Sequence, residues 1–456
     1  MTSASPFAVR GVIEGFYGRP WTHQQRLDLI DFIGQRGMNT FVYGPKDDPL
    51  VRRDWRVPYD GEALARLRQL VDRCRVQDMG LTYCIAPGLD IRYSDDTDLA
   101  ALVDKLRSVG ALGVGAFGLL LDDIPRTLQH AEDRQVFSDL AEAHVHVTEH
   151  VSRELGPNFR LTVCPLVYWG TGTESYLARL GRGIDPRIGL YWTGRAICSP
   201  TLDLADAETF TRATGRPPTY WDNYPVNDVA MGYELHIGPY RGRDPQLWRA
   251  ADGIVANGME LFESSRIPIA TIADYLRAPE TYDPETSWRQ AMRDVVGDSD
   301  VDAFSLFADN VRSSCLATED APIVTQALES FLFRVDRGDA GERLAAAKEL
   351  AALADRLAAA AAHLLRGPVV NRALMDEARP WLVAFELGAQ AIRAIADLAA
   401  TDRLGPDGST VLRPYLIRLR RARVRVFGDA LEMTLADLSG TMFRPGEVPE
   451  IEGGGS

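Results

Sequence analysis

The feature that most constrains this chain is an alternation repeated eight times before residue 283. A short apolar or β-branched run ends in a turn rich in Gly, Pro or Asp, and an amphipathic helical pattern follows. The runs are Val9–Phe16, Thr40–Tyr43, Leu81–Ala86, Phe117–Leu121, Arg160–Pro165, Ile188–Trp192, Thr219–Asp222 and Gly253–Asn257. Short continuous apolar runs belong to strands buried on both faces, as in a parallel sheet. Between them, Leu27, Leu29, Ile30 and Ile33 follow a cap-like Thr22. Leu64, Leu67, Leu70 and Val71 form a second helical stripe, and Leu99, Leu102, Val103 and Leu106 a third. Eight strands alternating with helices over about 270 residues have the count and length of a (β/α)8 barrel. A doubly wound open sheet is the alternative, but it usually carries a phosphate loop, and the sequence has none in the right place.

After Tyr282-Asp283-Pro284 the pattern becomes almost purely helical. The stretch from Ala340 to Leu365 is built of strong helix formers, with Leu344, Leu350, Leu353, Leu357 and Leu364 as its apolar stripe. Further helices are expected around 373–399 and 411–434, with Pro406 and Asp407-Gly408 punctuating the gap between them. The expected fold class is therefore α/β: a (β/α)8 TIM barrel over 6–282, then a C-terminal all-α helical bundle over 283–440. A flexible tail over 441–456 ends in Gly-Gly-Gly-Ser.

Composition narrows the partners. Hydrophobic residues are 46% and charged residues 25%, as in ordinary globular chains. A net charge of -14 lacks the basic footprint of a nucleic-acid binder and suits a neutral substrate. Five cysteines without CxxC spacing read as reduced thiols, so a cytoplasmic location is expected. The N-terminal residues show no charged leader with an apolar core, and no stretch is apolar enough to suggest a membrane span.

In a barrel of this kind, active residues sit where strands end. Those positions hold Glu14, Gly15 and Tyr17; Lys46, Asp47 and Asp48; Pro87; Asp122 and Asp123; Tyr168; Thr193; Trp221, Asn223 and Asp228; and Asn257. No His/Cys cluster suggests a transition metal, and no Arg/Lys cluster or Gly loop suggests phosphate, so no metal and no cofactor are expected. Amides, carboxylates and aromatic rings suit a sugar, whose hydroxyls need donors and acceptors and whose C–H face stacks on a ring. The centre is Asp122-Asp123, after four apolar residues. Two adjacent carboxylates could cap a helix or bind a divalent cation. They could also work as an acid/base pair, because like charges side by side push one carboxyl towards its protonated form.

Two other patterns carry no site. Gly113-Val-Gly115-Ala-Phe-Gly118 precedes a strand, whereas a dinucleotide loop follows one. His144, His146 and His150 lack the Glu of a zinc-protease motif and read as a surface helix.

Four longer motifs carry a family resemblance. These are Gly11-Val-Ile-Glu-Gly-Phe-Tyr-Gly-Arg-Pro-Trp21, Asn39-Thr-Phe-Val-Tyr-Gly-Pro-Lys-Asp-Asp48, Leu119-Leu-Leu-Asp-Asp-Ile124 and Trp221-Asp-Asn-Tyr-Pro-Val-Asn-Asp228. Together they resemble glycoside hydrolase family 84, the O-GlcNAcases and bacterial β-N-acetylglucosaminidases, some described as hyaluronidases. The resemblance implies a retaining exo-β-N-acetylglucosaminidase acting on an N-acetylglucosamine-containing glycan or glycoprotein. It implies that Asp122 orients the 2-acetamido group, that Asp123 is general acid then base, and that Tyr168 hydrogen-bonds the acetamido oxygen. Gly15, Lys46, Asn223, Asp228 and Asn257 would hold the sugar, Trp221 would wall the pocket, and Thr193 is a weaker match. Trp169 would stand at the pocket edge. Helical domains of such proteins can pair, so a homodimer through that domain is one expectation for the oligomeric state. Endo action on a polysaccharide such as hyaluronan, or a non-catalytic glycan-binding scaffold, are the alternative readings.

The chemistry implied can be stated physically. Retaining glycosidases with a protein nucleophile separate their carboxyls by about 5–5.5 Å across the sugar. Adjacent aspartates on one strand end cannot flank a sugar from opposite faces. That favours attack by the substrate's own acetamido oxygen, with Asp122 ionised and Asp123 raised in pKa.

Overall fold

The computed structural model describes residues 5–441; the expected tail lies outside them apart from Thr441. Eight strands form: β1 (Val9–Glu14), β2 (Thr40–Tyr43), β3 (Gly80–Ile85), β4 (Ala116–Leu120), β5 (Arg160–Cys164), β6 (Gly189–Trp192), β7 (Pro218–Asp222) and β8 (Gly253–Asn257). They pair in parallel in chain order, and β8 closes on β1, with Ile13 opposite Asn257. The open-sheet alternative is thereby excluded. β7 and β8 are buried at every residue, as strands covered on both faces are. β1 stops at Glu14, short of the expected Phe16, because the Gly15 amide leaves the ladder to bond Asn257 Oδ1 at 3.1 Å.

Ile13, Val42, Cys84, Leu120, Cys164, Tyr191, Trp221 and Val255, one from each strand, pack together inside the barrel. This layer is a solid floor, as in other barrels of this type. Tyr168 packs against it, so the loops above stand on a dense base.

The surrounding helices follow the sequence signals. His23–Gly34 opens on a capping box between Thr22 and Gln25. Asp95 and Asp139 cap Asp96–Gly110 and Leu140–Leu155 through the amides of Thr97 and Glu142. The expected stripes are buried except at Leu27 and Leu64, which are half-buried at their edges. One expectation fails on Leu140–Leu155. His144 is fully buried, where a surface position was expected, while His146 is exposed. The His144 ring bonds the hydroxyls of Tyr93 at 3.0 Å and Tyr176 at 2.7 Å, and burial lowers its pKa to about 3. It is a neutral core histidine, made tolerable by two hydroxyl partners.

By packing, the described chain forms two units. One comprises residues up to Asp228 together with Tyr240–Ser287; the other comprises Val229–Pro239 and the residues from Trp288. The second unit therefore takes a segment lying between β7 and β8 in sequence, which a single cut at 282/283 does not represent. Its helix Ala340–Arg366 starts on a capping box of Asp339 and Glu342 and packs along Arg379–Ala400. Leu350, Leu353, Leu357 and Leu364 are buried there, but Leu344, in the second turn of the helix, is exposed. The expected helix over 373–399 divides at Ala378 into Arg372–Glu377 and Arg379–Ala400, the second carrying Pro380 in its first turn. The expected helix over 411–434 also divides, into Pro406–Arg421 and Ala430–Leu438. Arg423, Phe427 and Gly428 between them have positive φ, which no right-handed helix accommodates. Pro406 opens the first of these helices instead of marking a gap. Among the described residues no helix is long and apolar enough to cross a membrane.

Candidate active site

The barrel brings the C-terminal ends of its strands to one rim, and the expected site residues meet there. Asp122 and Asp123 directly follow Leu121, beyond the end of β4. Asp122 is buried and bonds the Lys46 ammonium through Oδ2. Its Oδ1 is also buried and accepts no hydrogen bond of ordinary geometry from the described residues, the nearest candidate being the weak thiol donor of Cys164, whose pKa burial and the Asp122 charge push up. A lone buried carboxylate oxygen costs about 1–3 kcal/mol or more unless something donates to it.

Asp123 differs in backbone and in surroundings. Its φ is +52°, a left-handed conformation that costs an ordinary residue about 1–2 kcal/mol. Such strain persists only where neighbours fix it. Here they do: Tyr17 donates its hydroxyl to Oδ2 at 2.8 Å, and Tyr168 donates to Oδ1 at 3.1 Å. Arg52 Nη2 donates to the Asp123 carbonyl at 3.3 Å, and Lys46 Nζ stands 3.7 Å from Oδ2. The side chain keeps one third of its surface open to solvent.

This arrangement corrects the electrostatic expectation. Burial pushes the Asp123 pKa up, but Lys46 and the hydroxyls of Tyr17 and Tyr168 outweigh it, and Arg52 adds to them. On balance the carboxyl is held below its ordinary value. Two adjacent negative charges alone would raise that pKa, but the buried Lys46 ammonium lies against both carboxylates. Lys46 itself is pulled down by desolvation and up by Asp122, Tyr17 and Asp123, and the charges win. It also lies 5.5 Å from the centroid of the Trp221 ring and 5.7 Å from that of Tyr17.

A chain of amides builds the other side. Gly15 N donates to Asn257 Oδ1 at 3.1 Å, and Asn257 Nδ2 donates to Asn223 Oδ1 at 3.0 Å. Trp221 Nε1 donates to the same Asn223 oxygen at 3.0 Å, while Asn223 Nδ2 donates to the Ile197 carbonyl. Glycine is required at 15, since a Cβ there would lie 2.4 Å from Trp221 Cζ2. Trp221 is nearly buried and meets Tyr191 edge-on at 5.7 Å, so it is at once floor and wall. Asp228 Oδ2 accepts from Tyr17 N at 2.7 Å, and burial raises its pKa.

Thr193 anchors the loop beside it. Its amide donates to the Tyr168 carbonyl at 2.8 Å, and its buried hydroxyl donates to the Ala196 carbonyl at 2.7 Å. It fixes the loop carrying Tyr168. Three other strand-end residues are also structural. Glu14 is fully buried against Arg26 and the Trp21 amide. Asp47 accepts from Gly18 N, and Asp48 from the Tyr43 hydroxyl and Leu50 N. Sequence reasoning passed over Arg52, which lies in a polar run, Val51-Arg-Arg-Asp-Trp-Arg56, with no periodicity to single it out. Among the described residues no group of His, Cys, Asp or Glu is arranged to hold a metal.

Comparison with known proteins identifies a family and a shared fold. The profile of a family described as beta-N-acetylglucosaminidase (NAGidase) matches residues 10–309. The proteins named Protein O-GlcNAcase of Rattus norvegicus and Mus musculus are each 34% identical over 274 residues, 59% of this chain. The chain spans 30% of the length of these curated relatives. Among solved structures, a mutant of the Thermobaculum terrenum O-GlcNAc hydrolase superposes with a TM-score of 0.89 at 32% identity, covering 95% of this chain and 94% of its own. The protein named CpGH84B superposes with a TM-score of 0.81 at 26% identity, covering 95% of this chain and 77% of its own.

Proposed function

The chain belongs to the β-N-acetylglucosaminidase family, and from that premise we propose that it is a retaining exo-β-N-acetylglucosaminidase that removes terminal β-linked N-acetylglucosamine by substrate assistance. The observation that carries the proposal is the unpartnered, buried Oδ1 of Asp122 beside the tethered carboxyl of Asp123. An acetamido N–H is a donor of the right kind for Oδ1. Lys46 takes up Oδ2 and leaves Oδ1 to face the acetamide, so positive charge developing there meets a fixed, buried carboxylate.

In the first step the acetamido oxygen forms a bond to the anomeric carbon, and the bond from that carbon to the leaving oxygen breaks. The bonding pair leaves with that oxygen, which takes the proton of Asp123. Asp122 accepts from the acetamido N–H, and Tyr168 turns its hydroxyl to the acetamido oxygen. The product is a bicyclic oxazoline in its protonated, oxazolinium form, its N–H still held by Asp122. In the second step water attacks the anomeric carbon, Asp123 takes the water proton, and the ring opens with the original configuration. Holding nucleophile and carbon in one molecule contributes up to about 7–11 kcal/mol in ideal cases. The Gly15, Asn257, Asn223 and Asp228 groups hold the sugar hydroxyls, and Trp221 receives its C–H face.

The neighbouring Trp169 is 40% exposed and offers an apolar surface to whatever the sugar is attached to. A peptide aglycone is the reading favoured by the relatives named O-GlcNAcase, and the five free cysteines suit a reducing compartment such as the cytoplasm. The test is incubation with an O-GlcNAc-modified peptide and, separately, with a chito-oligosaccharide. Release of N-acetylglucosamine, faster from the peptide, supports the proposal. Release from neither overturns it.

A further inference from the structure

The relationship between Tyr17, Arg52 and Asp123 goes beyond the sugar contacts. Tyr17 lies on the loop after β1, Arg52 on the loop after β2 and Asp123 on the loop after β4. Arg52 Nη1 donates to the Tyr17 hydroxyl at 2.9 Å, and that hydroxyl donates to Asp123 Oδ2 at 2.8 Å. Arg52 Nη2 reaches the Asp123 carbonyl at 3.3 Å. The same guanidinium thus holds the tyrosine and the left-handed backbone of the aspartate. The Tyr17 amide is in turn fixed by Asp228 Oδ2 at 2.7 Å. A hydroxyl that already accepts from an arginine is a stronger donor to a carboxylate.

We propose that Tyr17 and Arg52 are positioning residues for the acid/base Asp123, with Tyr17 the tether that stays on Oδ2 throughout turnover and Oδ1 the oxygen that delivers the proton. The inference rests on the substrate-assisted reading above. In the free protein both carboxylate oxygens are tethered, Oδ1 by Tyr168 and Oδ2 by Tyr17. When Tyr168 turns to the acetamide, Oδ1 is released, while the Oδ2 tether has no part in binding the acetamide and remains. A carboxyl fixed through one oxygen presents the other in a defined plane, as proton transfer in a transition state requires.

The groups facing Asp123 from all sides enter the expected pH response. They are Lys46 and Arg52 from the second loop, Tyr17 from the first, Asp122 next to it, Cys164 and Tyr168 from β5 and the loop after it, and Asp228 from the loop after β7. Of these, Tyr17 donates to the ionised carboxylate and Arg52 adds positive charge, so removing either favours the protonated form of Asp123 in the free protein.

The experiment compares wild type, Tyr17→Phe and Arg52→Met on two aryl β-N-acetylglucosaminides, one with a good and one with a poor leaving group, across pH. The melting temperature of each variant is recorded. With an active wild type, Tyr17→Phe should lose at least about tenfold more kcat on the poor leaving group than on the good one. The alkaline limb of its kcat/KM profile should move to higher pH. Arg52→Met should shift both in the same direction by less, and it carries the test if Tyr17→Phe does not fold. Losses equal on both leaving groups, with an unmoved limb, overturn the positioning role while leaving the glycosidase reading intact. A wild type inactive on both substrates overturns the glycosidase reading itself.

Discussion

The Tyr168 hydroxyl donates to Asp123 Oδ1 at 3.1 Å, so in the free protein the group proposed to serve the acetamide is bound to the acid instead. On the proposed mechanism substrate takes that hydroxyl away, and in doing so removes one donor that lowers the Asp123 pKa. Binding and protonation of the acid are therefore linked.

The first prediction concerns pH. The Asp123 pKa is depressed in the free protein, so the protonated form needed for the first step becomes scarcer as pH rises. Substrate binding releases Tyr168 from Oδ1 and raises that pKa. Because kcat/KM reports the free enzyme and kcat the complex, the alkaline limb of kcat/KM should lie at lower pH than that of kcat. Tyr168→Phe should bring the two limbs closer and lower kcat by about 10²- to 10³-fold, as loss of an oxyanion-type donor does. Steady-state kinetics over pH 4 to about 9 check both.

A second prediction concerns the buried ion pair. Lys46→Met leaves Asp122 a buried carboxylate without its cation, which should cost about 3–5 kcal/mol of stability. Adding Asp122→Leu to that variant should restore most of the loss, since an apolar pair of similar volume replaces the charges. Urea denaturation measures all three proteins. Equal stability of the single and double variants would contradict the pairing.

The barrel was legible because its strands are short, largely apolar runs that the fold buries on both faces; β7 and β8 are buried at every residue. The site followed from it, because a barrel gathers its strand ends, and Asp122, Asp123, Lys46, Tyr168 and Asn257 do converge. What sequence could not supply was which charge faces which. The Lys46 ammonium lies against residues 76 and 77 positions away, and omitting it reversed the sign expected for Asp123. Arg52 was passed over for the same reason, since its partners, Tyr17 and Asp123, come from two other loops. His144 looked like a surface residue because histidine on a helix carries no mark of burial, and its two hydroxyl partners come from a distant loop, Tyr93, and another helix, Tyr176 in Ser175–Gly183. In the helical part, the breaks at Ala378 and at 422–429 fall where packing and positive φ override strong helical composition.

Gly15 provides a third prediction. In Gly15→Ala the new methyl would fall on the Trp221 indole, 2.4 Å from Cζ2. Overpacking of this kind costs about 1–3 kcal/mol, and moving Trp221 disturbs the Asn223 bond that it shares with Asn257. The variant should show a lowered melting temperature and a raised KM for an aryl N-acetylglucosaminide. An unchanged KM would mean that the Trp221 wall does not touch the sugar.

The two carboxylates should separate in a fourth measurement. Asp122→Asn and Asp123→Asn should each lower kcat on an aryl N-acetylglucosaminide by about 10²- to 10⁴-fold. The Asp123 variant should recover activity as the leaving group improves, because a good leaving group needs no proton. The Asp122 variant should not, because its deficit lies in nucleophilic attack. Equal dependence on leaving group would contradict the division of roles.

The most direct measurement of the central claim compares an aryl β-N-acetylglucosaminide with the matching aryl β-glucoside, identical except for the acetamido group. If the acetamide is the nucleophile and Asp122 its partner, kcat/KM for the glucoside should be lower by the proximity contribution, at least about 10⁵-fold. Turnover of the glucoside at a comparable rate would contradict substrate assistance.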